Sequence, residues 1–301
     1  MSNPRTVIIF GPTGGVGSAA ALTAHQQGAK VALAMRDPSK PTPKLDSINA
    51  EKVQADLTQP ESVKAAVRQT GAKTAFIYAA FGVEDHMRTT IQALKDGGAE
   101  SVVFLSSYTV QKDIREVPAT DFIAYLHAQV EVSLDEVFGP GHYVALRPAY
   151  FASNSSRFKA GILRGEVKHA NPEAEFDWIS PEDIGRVAGN ILANGSQEQV
   201  VMLVGSEKLS VRNVIGLLGG ALGKDVKVTK VSKEEDAEAL VQDGIPEILA
   251  EWLANDVTEH PGETFKAPGY SEGLVNIQKY TGQAPASFKK WLEDNKKVFE
   301  A

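Results

Sequence analysis

The stretch TVIIFGPTGGVG, Thr6–Gly17, decides how the rest of the chain is read. Five apolar, mostly β-branched residues form a short strand pattern. Three glycines follow at G-x-x-G-x-x-G spacing, and Ala19–Gln27 then continues as an Ala-rich helical segment. In such a strand–turn–helix unit each glycine has a task. Gly11 permits the sharp exit from the strand, Gly14 lets the backbone approach a diphosphate, and Gly17 lets helix and strand pack closely. Thr13, Gly15 and Val16 complete the turn. The helix start offers unpaired N–H groups and a partial positive charge to an anion. No Gly-Lys-Ser/Thr follows, which excludes a P-loop.

Outward from this turn, strand-like and helix-like segments alternate. Lys30–Met35, Val53–Leu57, Thr74–Ala79, Ser101–Leu105 and Tyr143–Leu146 read as strands two to six. Pro60–Thr70 opens with Pro and Glu as a helix should. Helices are also expected over Glu84–Asp96, ending at Gly97-Gly98, and over Ala119–Phe138. This alternation of short apolar strands and helices predicts an α/β fold, a Rossmann-type doubly wound parallel sheet. Further on, Pro181–Asn194 reads as a helix with Ser180 as N-cap and Gly195 just beyond its end. Gln199–Val204 is a strand that completes the sheet. From Ser210 the pattern is mostly helical, with Val226–Val231 as a strand. The expected division is a dinucleotide-binding domain over residues 1–155, completed by 176–204, and a smaller, mainly C-terminal α/β lobe over 205–301 with 156–175.

Composition narrows the function. The chain has 301 residues and a net charge of −7, of which the first 150 residues carry −1. No basic surface for nucleic acid is expected. An anionic ligand would meet little bulk repulsion in the first half. The absence of cysteine excludes disulfides, Cys-ligated zinc and thiol nucleophiles, and the six histidines show no metal-ligand spacing. No apolar run reaches the roughly 20 residues of a membrane span. The five-residue run near the N-terminus is too short for a signal peptide. A cytoplasmic protein is the expectation.

The end of the second strand chooses the nucleotide. An acid there binds ribose hydroxyls, whereas an arginine suits a 2′-phosphate. Arg36 occupies that position, with Asp37 next and Lys40 close behind. A guanidinium can grip phosphate bidentately and a lysine adds a point charge, so NADP(H) is expected over NAD(H). The bland alternative is a solvated Arg36–Asp37 loop pair. Asp56 and Leu57, after the third strand, are placed near the adenine, or else serve as helix cap and core residue. Other candidates follow strand ends, where open α/β sheets bind ligands. Ala79, Ala80 and Phe81 would let a dinucleotide lie close. Ser106, Ser107 and Tyr108 offer hydroxyls to ribose or substrate. Pro148, Tyr150 and Phe151 would wall the nicotinamide.

Gly11–Gly17, Arg36-Asp37-Pro38, Asp56-Leu57, Leu146-Arg147-Pro148 with Tyr150, Phe151 and Asn154, and Pro181-Glu182-Asp183-Ile184-Gly185 stand in an order that resembles the NmrA-like proteins. These are atypical members of the short-chain dehydrogenase/reductase superfamily. Tyr280-Thr281-Gly282 with Pro285 and Ser287-Phe288 resembles the tail of many of them. The resemblance spans nearly the whole chain. It implies a Rossmann fold with a small lobe over the nicotinamide end, and a substrate-side role for Tyr108 and Asn154. Members include reductases of small or aromatic metabolites and catalytically silent NADP(H) sensors that act through a protein partner.

Superfamily enzymes carry Tyr-x-x-x-Lys on the helix after the fifth strand. There the lysine lowers the tyrosine pKa so that it can exchange a proton during hydride transfer. This chain lacks the lysine, and two registers stay open. Tyr125 and Gln129 keep the spacing with Gln for Lys. His127-Ala128-Gln129-Val130-Glu131 matches the family's Lys-Ala-x-Val-Glu with His for Lys. The apolar stripe Phe122, Leu126, Val130, Leu134 and Val137 is flanked by Tyr125 on one side and His127 on the other. The expectation is an NADPH-dependent reductase of a small carbonyl, imine or enone, with His127 or Tyr125 as proton donor. The alternatives are a silent sensor or an NADP-requiring isomerase.

Overall fold

The computed structural model describes residues 5–300. The chain divides into two compact units. One contains the chain up to Pro148 with Pro181–Leu203 and Ser271–Ala284. The other contains Ala149–Ser180, Val204–Tyr270 and Pro285–Ala301.

The first unit is a seven-stranded sheet. Its strands are β1 (Thr6–Phe10), β2 (Lys30–Met35), β3 (Glu51–Gln54), β4 (Thr74–Tyr78), β5 (Ser101–Leu105), β6 (Tyr143–Pro148) and β7 (Val200–Leu203). They pair in the order β3-β2-β1-β4-β5-β6-β7, and every pairing is parallel. The helices are α1 (Gly15–Gln26), α2 (Pro60–Thr70), α3 (Arg88–Gly97), α4 (Phe122–Phe138) and α5 (Pro181–Asn194). The Rossmann-type sheet expected from the alternation is present. Because the order reverses between β1 and β4, a crevice opens beyond the carboxyl ends of those two strands.

Side chains alternate across the strands. Ile8, Phe10, Ala32, Ala34, Ala75, Ile77, Val102 and Phe104 join Val63 and Val67 of α2, Ile91 and Leu94 of α3, and Val130 and Leu134 of α4 in one core. Helices α1 and α5 pack on each other through small residues. A Cβ placed on Gly185 would come within 2.4 Å of the Val16 carbonyl oxygen and 2.5 Å of Ala19 Cβ. A Cβ on Gly189 would come within 2.5 Å of the Ala20 carbonyl oxygen. Backbone obstacles of this kind cannot rotate away.

Among the element boundaries that differ from the sequence expectation, three have identifiable reasons. α1 begins at Gly15 because the glycine turn itself supplies the first helical residues. β3 ends at Gln54, since Asp56 instead accepts the Thr58 N–H and hydroxyl, both at 2.9 Å, in a turn leading into α2. α3 begins at Arg88, because His86 and Met87 take left-handed backbone, with φ of 49° and 64°.

The second unit has two small sheets. Glu166–His169 pairs in parallel with Lys227–Lys230, and Glu175–Phe176 pairs antiparallel with Leu209–Ser210. Around them lie the helices Val211–Ala221, Lys233–Gln242, Glu247–Glu259 and Phe288–Asn295. The core is aromatic: Tyr150, Phe176, Trp178, Phe288, Trp291 and Phe299 are all buried. Asp177, 1 % exposed, lies beside this core and accepts the Tyr150 N–H at 3.2 Å. Burial pushes its carboxyl up to about 7. The folded chain therefore holds a proton at Asp177 between pH 4 and 7 that the unfolded chain has released, so this residue's contribution to stability falls as pH rises.

Three outcomes are expected. Gly185→Ala lowers the unfolding free energy by about 2 kcal/mol in denaturant titrations. Gly216→Ala, in a helix interior where a new Cβ meets nothing within 4 Å, raises it by about 0.5–1 kcal/mol. Asp177→Asn matches the parent near pH 4 and gains over it as pH rises to 8, by on the order of 4 kcal/mol at most; parallel pH curves for the two proteins would refute this.

Candidate functional site

The crevice starts at the glycine turn. Gly11 has φ of 67°, in the left-handed region where glycine alone is at ease. A Cβ on it would lie 2.8 Å from Cε1 of Tyr78, at the end of β4. A Cβ on Gly17 would sit 2.2 Å from the Gly11 carbonyl oxygen. Gly17 is thus demanded by the turn closing on itself, more than by helix–strand contact. Gly15 would meet Pro181 Cβ at 2.9 Å, so the start of α5 backs the turn. Gly14 differs: its nearest neighbour would be the Gly11 carbonyl oxygen at an ordinary 3.6 Å, and the residue is exposed. The space its missing side chain leaves faces solvent. No side chain caps α1, so its first-turn N–H groups stay available to an anion.

A cavity of about 120 Å³ continues from this turn. β1 contributes Phe10 and the turn residues Gly11, Pro12 and Thr13. β2 contributes Ala34 and Met35 with Arg36, Asp37 and Lys40 beyond it. Ala55, Asp56 and Leu57 follow β3, and Tyr78 closes β4. The structure thus brings Gly11, Thr13, Arg36, Lys40, Asp56 and Leu57 together. Pro12, Tyr78 and Pro181 were not among the sequence candidates. Tyr78 carries a legible signal, as the last residue of a strand beside the switch point.

Arg36 and Asp37 do not form an ion pair. Asp37 turns back on its own loop, accepting the Ser39 N–H at 3.0 Å and the Ser39 hydroxyl at 2.6 Å. Those bonds hold its carboxyl below the usual range. Among the described residues no hydrogen bond or ion pair engages the exposed Arg36 guanidinium. The Asp56 carboxylate is spent on Thr58. Leu57 is buried in the core, and its carbonyl accepts the Thr90 hydroxyl at 2.8 Å.

After β4, Ala79 and Ala80 are buried and Phe81 is 63 % exposed. The Ala80 N–H points at Met87 Sδ, 3.2 Å away. After β5, Ser106 is buried, and its hydroxyl donates to Glu131 of α4 at 2.5 Å. Arg147 of β6 completes the group, with Nη2 2.6 Å and Nε 3.1 Å from the same carboxylate and Nη1 2.8 Å from the Val110 carbonyl. The Ser106 hydroxyl is therefore committed to anchoring α4 rather than open to ribose. Ser107 accepts from the Thr109 N–H and hydroxyl. The Tyr108 N–H donates to the carbonyl of Pro148, itself buried.

The two candidate proton donors on α4 differ. His127 is half-buried, and its ring lies 6.2 Å from that of Phe104. Nδ1 sits 2.8 Å from the Ile123 carbonyl, so the neutral ring donates there and keeps Nε2 as an acceptor. Burial lowers its pKa. Tyr125 is half-buried, and its ring meets His86 edge-on at 5.5 Å.

Tyr150, Phe151 and Asn154 belong to the second unit. Tyr150 is a core residue there, stacked on Phe176 at 4.1 Å and edge-on to Trp178 at 5.0 Å. Phe151 is half-buried and bridges to Ile179, and Asn154 is exposed. Because Glu131 is 1 % exposed, removing it leaves the partly buried Arg147 guanidinium without its counter-charge. Glu131→Ala is expected to cost about 3–5 kcal/mol in chemical denaturation. Replacing Glu131 and Arg147 together by Leu and Met should recover most of that loss.

Comparison with known proteins agrees with this architecture. Residues 3–275 match the NmrA-like family. The chain is 35% identical to the nitrogen metabolite regulation-like protein bik4 of Gibberella fujikuroi, over 95% of each chain. It is 29% identical to agroclavine dehydrogenase of Claviceps fusiformis, over 67% of this chain and 66% of that one. Its fold is similar to that of an NADPH-dependent quinone oxidoreductase from Escherichia coli, solved with NADPH. That similarity has a TM-score of 0.72 and 20% identity, and covers 98% of this chain and 100% of the other. The glycine turn, the parallel sheet and the matched length lead to one conclusion: the chain belongs to the NmrA-like family.

Proposed function

We propose that this protein binds NADP(H) and reduces a small organic substrate bearing a C=O, C=N or C=C bond. The observation that carries the reading is the unengaged Arg36 guanidinium on the rim of the 120 Å³ cavity that begins at the glycine turn. The first-turn amides of α1 would hold the diphosphate. Arg36 and Lys40 would hold a phosphate on the adenosine ribose, and Asp56, Leu57 and Tyr78 would border the adenine. Gly14 supplies the clearance, since a Cβ there would meet the Gly11 carbonyl oxygen at an ordinary 3.6 Å and nothing closer. The relatives named as a dehydrogenase and a quinone oxidoreductase support a redox role.

When bound, the reduced nicotinamide supplies a hydride. The chain must then supply a proton. In this reading Tyr125 donates it, because His127 has Nδ1 committed to Ile123 and is held neutral by burial. His127 orients that stretch of α4 and offers only an acceptor.

Titration calorimetry tests the reading. The parent protein is expected to take up NADPH in preference to NADH. Arg36→Ala should weaken NADPH binding about 10–100-fold, the value of a charge-assisted contact, with NADH binding unchanged. Uptake of neither nucleotide by folded protein would sink the reading.

A second reading has one observation of its own: the 35% identical relative is named for nitrogen metabolite regulation. In this version the protein senses NADP(H) and passes the signal to a protein partner. Tight NADPH uptake with no oxidation across a quinone, imine and enone panel would favour it.

A further inference from the structure

The loop leaving β4 contains a feature that the cofactor reading does not use. His86 and Met87 are consecutive left-handed residues, and neither is glycine. Such backbone persists only where its surroundings impose it, and it gathers at functional sites. Here the surroundings are explicit. The Met87 side chain is fully buried, and its Sδ faces the Ala80 N–H. Asp85 accepts the Thr89 N–H at 2.9 Å and also the Thr89 hydroxyl. Arg88 is paired with Glu136 of α4.

The outcome of this bracing is the placement of one imidazole. His86 meets Tyr125 edge-on, with centroids 5.5 Å apart and planes at 89°. Its Nδ1 is buried and has no hydrogen-bond partner. An orphaned polar atom is costly and calls for an explanation. Of the charged neighbours on its own turn, Asp85 and Arg88 are committed to Thr89 and Glu136, and Glu84 is exposed. From α4, the titratable group in ring contact with His86 is Tyr125. The lysine that would assist a tyrosine on α4 is absent, and an imidazole from a different element stands beside this one.

We propose that His86 is a positioning and proton-relay residue for Tyr125: its unpartnered Nδ1, once protonated, returns a proton to the phenolate that the reduction leaves behind. The proposal rests on the reading of Tyr125 as proton donor in a reduction. In each turnover the substrate C=X bond becomes CH–XH. The carbon gains the hydride of reduced nicotinamide, and X gains the phenolic proton. The O–H bond of Tyr125 is remade from the N–H of the imidazolium, and water reprotonates the ring.

The first test needs neither cofactor nor substrate. In the full chain, the His86 imidazole signals are assigned by their loss in His86→Asn, a side chain that tolerates left-handed backbone. Their nitrogen chemical shifts at one pH are then compared in the parent and in Tyr125→Phe, which keeps the edge-on ring contact and removes only the hydroxyl. The Nδ1 signal should move on loss of the hydroxyl while the Nε2 signal stays. An unchanged Nδ1 signal would overturn the proposal.

The second test follows NADPH-driven reduction of 9,10-phenanthrenequinone. His86→Asn should lose about 100-fold in kcat, keep KM and NADPH affinity, and lose the alkaline limb of the pH profile. Free imidazole should partly restore His86→Gly. Adding His86→Asn to Tyr125→Phe should cost little more than Tyr125→Phe alone. An unimpaired His86→Asn would overturn the proposal, as would a parent protein that binds NADPH yet does not reduce the quinone. The latter result would leave the cofactor reading standing, whereas a parent that binds no NADPH removes both.

Discussion

The contact on which the site depends is between two pieces of backbone. The Gly17 Cα lies against the Gly11 carbonyl, where a Cβ would sit at 2.2 Å. That closeness lets the chain turn out of β1 and into α1 within a few residues. It leaves the first amides of the helix pointing at open space. The same economy of side chains repeats behind the turn. Gly185 and Gly189 of α5 bring its backbone against Val16 and Ala20, and Pro181 rests on Gly15. The segment from Pro181 to Gly185 is thus part of the phosphate turn's foundation, although well over a hundred residues separate them in the chain.

Electrostatics then separates structural charge from available charge. Asp37 and Asp56 are near the cavity, yet each carboxylate is spent on a hydroxyl and an N–H two residues ahead. Local side-chain-to-backbone bonds of this kind hold turns in place. They remove the acids as partners for Arg36, whose guanidinium stays unengaged. Farther along the sheet the opposite choice is made. Glu131, Arg147 and Ser106 satisfy one another in a buried group that ties α4 to the ends of β5 and β6. Buried ion pairs of this geometry do little for net stability, but breaking one is expensive. Their service here is to fix the helix that carries Tyr125 and His127.

Hydrogen bonding also distinguishes the two imidazoles of this region. His127 has its Nδ1 satisfied by a carbonyl of its own helix and is kept neutral by burial. His86 is braced by its neighbours in a strained conformation and left with an unsatisfied nitrogen. The first is arranged for position and the second for exchange.

The sequence by itself determined the strand–turn–helix opening, the parallel sheet and the family. Those rest on local rules: β-branched runs, glycine spacing and the caps that end helices. It also put Arg36 at the exit of β2, where the structure has it one residue past the last strand position, Met35. The tertiary structure decided the rest, because the deciding contacts join residues remote in sequence. It committed Ser106 to Glu131 and Arg147. It made Tyr150 a core ring of the second unit and Tyr78 a wall of the cavity. It also set His86 beside Tyr125. No periodicity could reveal that last pairing, because it comes from a loop and a helix whose distance apart is fixed only when the sheet that carries both has formed.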